Sequence, residues 1–331
     1  MTGTGTKGRK RAAWTLVALA PICAEMTFGA LPLSMIWLLP LLVPMYGAGV
    51  LLIREAVRRT GGGWPSLLVL ALVYELAEDG IGLQALTSPT LYHAAEWGPR
   101  VFGLNTTYWE SQIGYHAVFS VMIPIMLTDL LHPAHRDRPY LRRGGLVGVG
   151  VVALLGVAVL RVLIPPVMDP GYQAPLPALA AFAVAGVVLS VLALKVLPGR
   201  TPAPPAGASA PKPAVVGLLA ALATAAFLGL LIPIVPAVGG RGWWAVVAMI
   251  LAAAVAVAAV VLLHRWSGAG WTDAHRVWLA GGALVSHTLF GAAVMATTTF
   301  DRVGLVGCAV LMALLLALLG RRAEGRLVPS G

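Results

Sequence analysis

Ten stretches of this 331-residue chain run for about twenty residues with little or no charge, and no other feature limits the fold so strongly. A helix needs about 20 apolar residues to cross the hydrocarbon core of a bilayer. The stretches are 12–30, 32–53, 64–86, 111–132, 144–165, 176–197, 213–235, 243–264, 277–299 and 302–320. They show continuous apolarity and no period-two alternation, so each must satisfy its own backbone as a helix. The expected fold is all-α: a polytopic transmembrane helical bundle of about ten spans, forming a single membrane domain over 1–331. Composition agrees. Only 11% of residues are charged and 59% are hydrophobic, against about 25% charged in soluble domains, too few to cover a water-facing surface.

The net charge of +10 raises the question of nucleic acid, and the placement of the charges answers against it. With the N-terminus in the cytoplasm, that side receives Lys7, Arg9, Lys10 and Arg11; Arg54, Arg58 and Arg59; Arg136, Arg138, Arg142 and Arg143. It also receives Lys195, Arg200 and Lys212; Arg265 and Arg276; Arg321, Arg322 and Arg326. Only Arg100, Arg161, Arg241 and Arg302 remain for the other side. This alternation is the positive-inside pattern. It points to a multi-pass protein of the plasma membrane with both termini cytoplasmic. The basic start MTGTGTKGRKRAAW leads into an apolar stretch without a clean cleavage site, so it reads as a retained anchor. Low Lys with high Arg, Ala and Gly suggests a high-GC bacterium.

Several smaller features have plain readings. Cys23 and Cys308 each lie in an apolar run and are expected to be packing residues without a disulfide. The Pro/Ala-rich segment 198–213 is a cytoplasmic linker. Gly144 and Gly148 have the spacing of a close helix contact. In the long outer loop, Trp97, Tyr108 and Trp109 suit an interfacial belt, and Asn105-Thr-Thr fits a glycosylation sequon. Pro21, Pro40, Pro44, Pro124, Pro233 and Pro236 mark kinks or breaks. Arg54 and Glu55 read as a helix-end pair, and Asp129 as interfacial beside His132 and His135.

One stretch resists a plain reading. LVYELAEDGIGLQAL, 72–86, places Glu75, Glu78 and Asp79 inside a span. At about 100° per residue the three acids fall within an arc of roughly 100°, with Gly82 on the same face leaving space beside them. Such a stripe must face other helices or a wet cavity. Depth brings further residues to it. Counting ~1.5 Å per residue, Asp79 lies roughly 22 Å from the cytoplasmic start of its span, and His116 reaches the same level from the opposite side. Gln112, His116 and Ser120 share one face. Glu25, Arg161 and His287 come out in the same outer-half layer, and Asn105 lies just beyond it. Three crowded carboxylates repel, so at least one holds a proton or meets a cation at neutral pH.

Carboxylic acid, carboxylate and histidine together are what general acid–base chemistry uses. Glu75, Glu78, Asp79 and His116 are therefore the candidate catalytic residues. Glu25, Asn105, Gln112, Ser120, Arg161 and His287 are candidate substrate-binding residues. There is no paired-histidine metal spacing, so metal and cofactor stay open. A site at this depth would meet a membrane lipid, isoprenoid, membrane peptide or other apolar small molecule. The expected function is an intramembrane enzyme; the alternative is a proton-linked transporter, or a partner subunit without catalysis.

Two resemblances follow from these residues. The run YGAGVLLIREAVRRTGGGWPSLLVLALVYELAEDGI, with GLNTTYW and YHAVFSVMIPI, resembles a group of bacterial multi-pass membrane proteins without an assigned activity, over about residues 20–145. Glu78-Asp79, His116 and His287 resemble the motifs of the CAAX-processing and bacteriocin-immunity intramembrane peptidases. That pattern departs here at Leu83, Gln112 and Gly291, where Arg, Phe and Asn or Asp would stand. The resemblance implies proteolysis inside the membrane.

Overall fold

In this computed structural model the described residues are 3–200, 203–205, 209–233, 242–268 and 270–325. Arg241, Pro236, Arg326 and parts of the 198–213 linker lie outside them. The chain is an all-α polytopic membrane protein. Among the described residues, eight helices are long and apolar enough to cross a membrane. In chain order with two further helices, they are labelled as follows. α1 is Gly3–Pro21, continued by a π-helical turn at Ile22–Met26. α2 is Leu33–Thr60. α3 is Trp64–Glu75, continued by a π-helical stretch at Leu76–Gly82. Then come α4 (Thr106–Leu131), α5 (Arg143–Met168), α6 (Leu176–Val196), α7 (Pro213–Leu231), α8 (Trp243–Trp266), α9 (Asp273–Val294) and α10 (Thr299–Arg322).

Both helices outside the apolar eight carry several charges, as parts of α2 and α4 also do. α1 extends back to Gly3 through Arg9, Lys10 and Arg11, and α3 holds the three acids. Local signals explain the ends. Gly61 takes φ +71° to close α2 with a left-handed residue. Pro65, in the first turn of α3, sits where a missing N–H costs nothing.

The contacts sort the residues into two units. The first is drawn from 1–24, 40–201 and 231–250; the second from 25–39, 202–230 and 251–331. In the first unit α3 packs against α4 through His116–Met122 and against α5 and α6 through Leu76–Gly82. α5 approaches α2 at Gly156, where an added Cβ would lie 2.5 Å from the backbone nitrogen of Met45. Any side chain there would push the two helices apart. Gly144 and Gly148 make no such contact: nothing lies within 4 Å of either Cβ position. The close-packing glycine of α5 is thus Gly156, two turns further along. Gly82 also differs from expectation. It faces Leu160 and the carbonyl of Val157 on α5, not open space beside the acids.

In the second unit α9 and α10 form an antiparallel pair. Asp301 at the start of α10 accepts from the backbone N–H of Ser34 and from Thr298. His287 is fully buried on α9 and stacks on Phe28, ring centres 4.7 Å apart. Cys23 is buried and Cys308 half-buried, and both are free thiols.

The two short strands β1 (Arg100–Val101) and β2 (Leu104–Asn105) form a hairpin in the loop between α3 and α4.

Candidate acid–histidine site

Where Glu75, Glu78, Asp79 and His116 meet, the helices are wound wider than α. Four of the first unit's helical segments are π-helical: Val43–Ala48, Leu76–Gly82, His116–Met122 and Leu192–Val196. The first three carry Tyr46, Glu78 and Asp79, and His116 and Ser120. Widened turns of this kind concentrate at functional sites. Pro44 accounts for one, because proline lacks the N–H that an α-turn would use. Such a turn also moves side chains off the 100° spacing on which the sequence-based face assignment rests.

The side chains bond directly. His116 Nε2 lies 3.0 Å from Asp79 Oδ2, and Nδ1 lies 2.9 Å from Ser120 Oγ. Glu78 Oε2 stands 3.6 Å from the same Nδ1. Three aromatic residues donate to the acids. Tyr108 Oη gives its proton to Asp79 Oδ1 at 2.7 Å, Trp109 Nε1 to Glu75 Oε2 at 3.0 Å, and Tyr46 Oη to Glu78 Oε1. Glu75 Oε1, buried with the rest, has no hydrogen-bond partner among the described residues. Tyr74 and Tyr115 flank the imidazole, with ring centres 5.5 and 5.3 Å away, and Tyr115 donates to the carbonyl of Ala24. Every acid, His116 and Ser120 are buried.

Counting charges shows why this is not an ordinary ion-pair network. Fully ionised, the acids carry three negative charges, and the cation within ion-pair distance of Glu78 and Asp79 is a protonated His116, which supplies one positive charge. An uncompensated pair of charges in low dielectric is strongly unfavourable. Phenol and indole donors soften that charge but do not cancel it. Protons shared within the cluster, or a cation drawn into it, must make up the balance. No three His, Cys, Asp or Glu side chains come together in metal-ligating geometry among the described residues.

The other expected binding residues stand elsewhere. Asn105 is buried and donates to the carbonyls of Ala85 and Ser88, so it ties the loop down and does not touch the acids. A buried amide already used in this way is no glycan acceptor. Gln112 donates to Ser111 and not toward His116. Arg161 caps the broken end of α3 through the carbonyl of Ile81 and bonds Gln173. Glu25 is half-buried in the second unit, where its carbonyl accepts from Gly29 and Leu31. His287 belongs to that unit too. Of these candidates, Ser120 is the one that joins the acids, through its bond to His116.

Tyr46, Tyr108 and Trp109 were missed as site residues. An interfacial belt, the reading the sequence suggests for Trp97, Tyr108 and Trp109, fits half-buried Trp97, edge-on to Tyr108 at 5.2 Å, but not the other two, which bond the acids. The available signal is their position two turns before His116 on a helix that faces the acids.

A second polar layer lies on α2 and α4. Arg54 is fully buried and bonds Asp129 at 2.9 Å and the carbonyls of His135, Arg136 and Arg138. Its guanidinium lies 3.5 Å over the Tyr140 ring. Arg58 pairs with the second oxygen of Asp129 at 3.0 Å. Glu55, also fully buried, accepts from the backbone N–H groups of Tyr140 and Leu141 and pairs with Arg59. The Tyr140 phenol is raised above its ordinary pKa by burial. Far from a solvent-exposed helix end, this layer clamps the 132–142 loop onto α2.

A polytopic helical membrane protein with a buried acid–histidine cluster is thus the class that fold and site define. The chain belongs to an uncharacterised membrane protein family, whose model matches residues 15–324. That match takes in nearly the whole chain, beyond the first half where the resemblance was read. No curated protein and no solved structure matches the chain. None of these comparisons points to the CAAX-processing peptidases.

Proposed function

We propose that Glu75, Glu78, Asp79 and His116 form an intramembrane acid–base centre, and that the protein is an intramembrane enzyme acting on a lipid or other apolar substrate. The carrying observation is the imidazole held at both nitrogens, with Asp79 on one side, Ser120 and Glu78 on the other, beside the unpartnered oxygen of Glu75. Asp79 and Ser120 orient His116, which passes a proton among the acids. Tyr46 fixes Glu78, and Trp109 aims Glu75 so that its second oxygen is left for the reacting atom. The triad-like order Asp79–His116–Ser120 does not make Ser120 a nucleophile. In a serine triad the carboxylate holds Nδ1 and the serine faces Nε2, whereas here Asp79 holds Nε2 and Ser120 faces Nδ1 from one turn along the same helix.

An apolar groove of about 460 Å³ runs along another face of α3, between Val73, Ala77 and Ile81 and the α6 residues Phe182 and Gly186. It offers an apolar ligand a place beside the acid helix. The reading further places the protein in the plasma membrane with both termini cytoplasmic, as the loop charges indicate.

A proton-linked transporter is the second reading, favoured by one observation. Between the acid layer and the Arg54 layer, α2 and α4 carry a fully buried apolar band including Val50 and Val121. A transporter would have to open such a band in alternation. The test uses the full chain in vesicles of bacterial polar lipid, with Glu75→Gln, Asp79→Asn and His116→Ala as controls. Mass spectrometry of the extracted lipids should show a species made or consumed by the wild type and by none of the variants. Unchanged lipids, with a solute-driven signal from a trapped pH dye, would replace the enzyme by the transporter. Variants as active as wild type in both assays would remove the site.

A further inference from the structure

Backbone strain among the described residues is gathered in one loop. Among the described residues, the non-glycine positions with positive φ are Gln84, Tyr92, His93 and Phe102, all between α3 and α4. Phe102 is the most telling. It forms with Gly103 the two-residue turn of the β1–β2 hairpin, at φ +53° and +82°. Positive φ at both positions is the type I′ arrangement, for which Asn-Gly is the favoured pair. A bulky residue at the first position is an outlier, and this one packs on nothing: Phe102 is fully exposed. Neither the turn nor the core gains from a phenylalanine here. Strain of this kind persists where it serves a function.

The hairpin is also held rigid. Arg100 donates to the carbonyls of Thr87 and Gly103 at 2.8 and 2.9 Å. Its guanidinium pairs with no acid among the described residues, so a cation stands beside the apolar tip of Val101 and Phe102. The tip cannot reach far from the bilayer. Gly103 is three residues from Thr106, the first residue of α4, so it lies within roughly 10 Å of that helix end. α4 has 26 residues, about 39 Å of helix against a hydrocarbon core of ~30 Å. Its ends therefore stand among the headgroups, and the hairpin with them. An aromatic residue next to an arginine at that level is the pattern of an interfacial anchor.

We propose that this hairpin is a preformed membrane-docking finger: Phe102 and Val101 insert among the lipids at the bilayer surface, and Arg100 pairs with lipid phosphate. The inference is independent of the chemistry assigned to the acids. Its test places a bimane dye on Phe102→Cys, in a Cys308→Ala background, with the full chain in phosphatidylglycerol–phosphatidylcholine vesicles. Nitroxide groups at shallow lipid depth should quench the dye several-fold more than aqueous iodide does. Stronger quenching by iodide would overturn the proposal. So would a dye shielded in native membranes but open to iodide in pure lipid vesicles, an outcome that assigns the finger to a protein partner. Phe102→Asn keeps the proposal falsifiable without a label. It should melt in detergent at or above the wild-type temperature, because asparagine suits the turn, yet lose the extra melting temperature that wild type gains on transfer to vesicles. A loss in detergent as large as in vesicles would show that Phe102 serves the fold.

Discussion

The two polar layers of the first unit contain similar residues and are built on opposite plans. Around Arg54, each acid meets an arginine: Asp129 pairs with Arg54 and Arg58 and accepts from the Tyr140 phenol, and Glu55 pairs with Arg59 and accepts from two backbone N–H groups. Around His116, three acids share one imidazole and are otherwise met by two phenols and an indole. The first arrangement is complete with its charges fixed. The second is complete only when protons are shared or a ligand arrives. Burial of charge alone therefore does not tell the two layers apart; the excess of acids over cations around His116 does.

The contrast is broken most severely by removing Arg54. Arg54→Ala leaves Asp129 and three loop carbonyls without their partner, and the loss of one member of a buried pair costs about 3–5 kcal/mol. The variant should melt far below wild type or fail to accumulate, as followed by thermal unfolding in detergent. A wild-type melting temperature would show that the 132–142 loop does not depend on this clamp.

In the other layer the damage should fall on function. His116→Ala is expected to lower activity about 10²-fold or more, the usual contribution of a general acid–base group, measured in the vesicle assay. Glu75→Gln sharpens the distinction. It retains an acceptor for Trp109 and removes a buried ionisable group, so stability should shift by no more than about 1 kcal/mol while activity is lost. A large drop in melting temperature would return Glu75 to a structural role.

The smallest effect concerns His132, just past α4, whose ring bonds Thr15 at 3.0 Å. Burial, His135 and Arg11 hold its pKa below the ordinary value of 6.5. The unfolded chain then binds the proton more readily than the folded one. The resulting stability is present above about pH 6.5 and is lost as pH falls through the depressed folded value. Melting curves between neutral and mildly acidic pH should fall less steeply for His132→Gln than for wild type; equal slopes would remove the effect.

What the chain discloses before folding follows the same division. The helices were legible because apolar length is a local property, and α5 or α6 can be bounded by reading along the chain. Glu75, Glu78 and Asp79 were legible because acids in an apolar run are anomalous, and depth counting led to His116. Tyr46, Tyr108 and Trp109 were not, since an aromatic near a membrane surface already has an ordinary explanation. Arg54 and Glu55 looked like a helix end because their burial comes from a loop some eighty residues away. Gly82 and Gln112 were misdirected by the assumption of 100° per residue across turns that are wound as π-helix.

The protonation of the acids separates the two layers. Infrared difference spectra of the full chain at neutral pH should contain a protonated-carboxyl C=O band that Glu75→Gln or Asp79→Asn removes or shifts and Asp129→Asn leaves alone. A wild-type spectrum without that band, or a band indifferent to both cluster substitutions, would contradict a proton-sharing centre at His116.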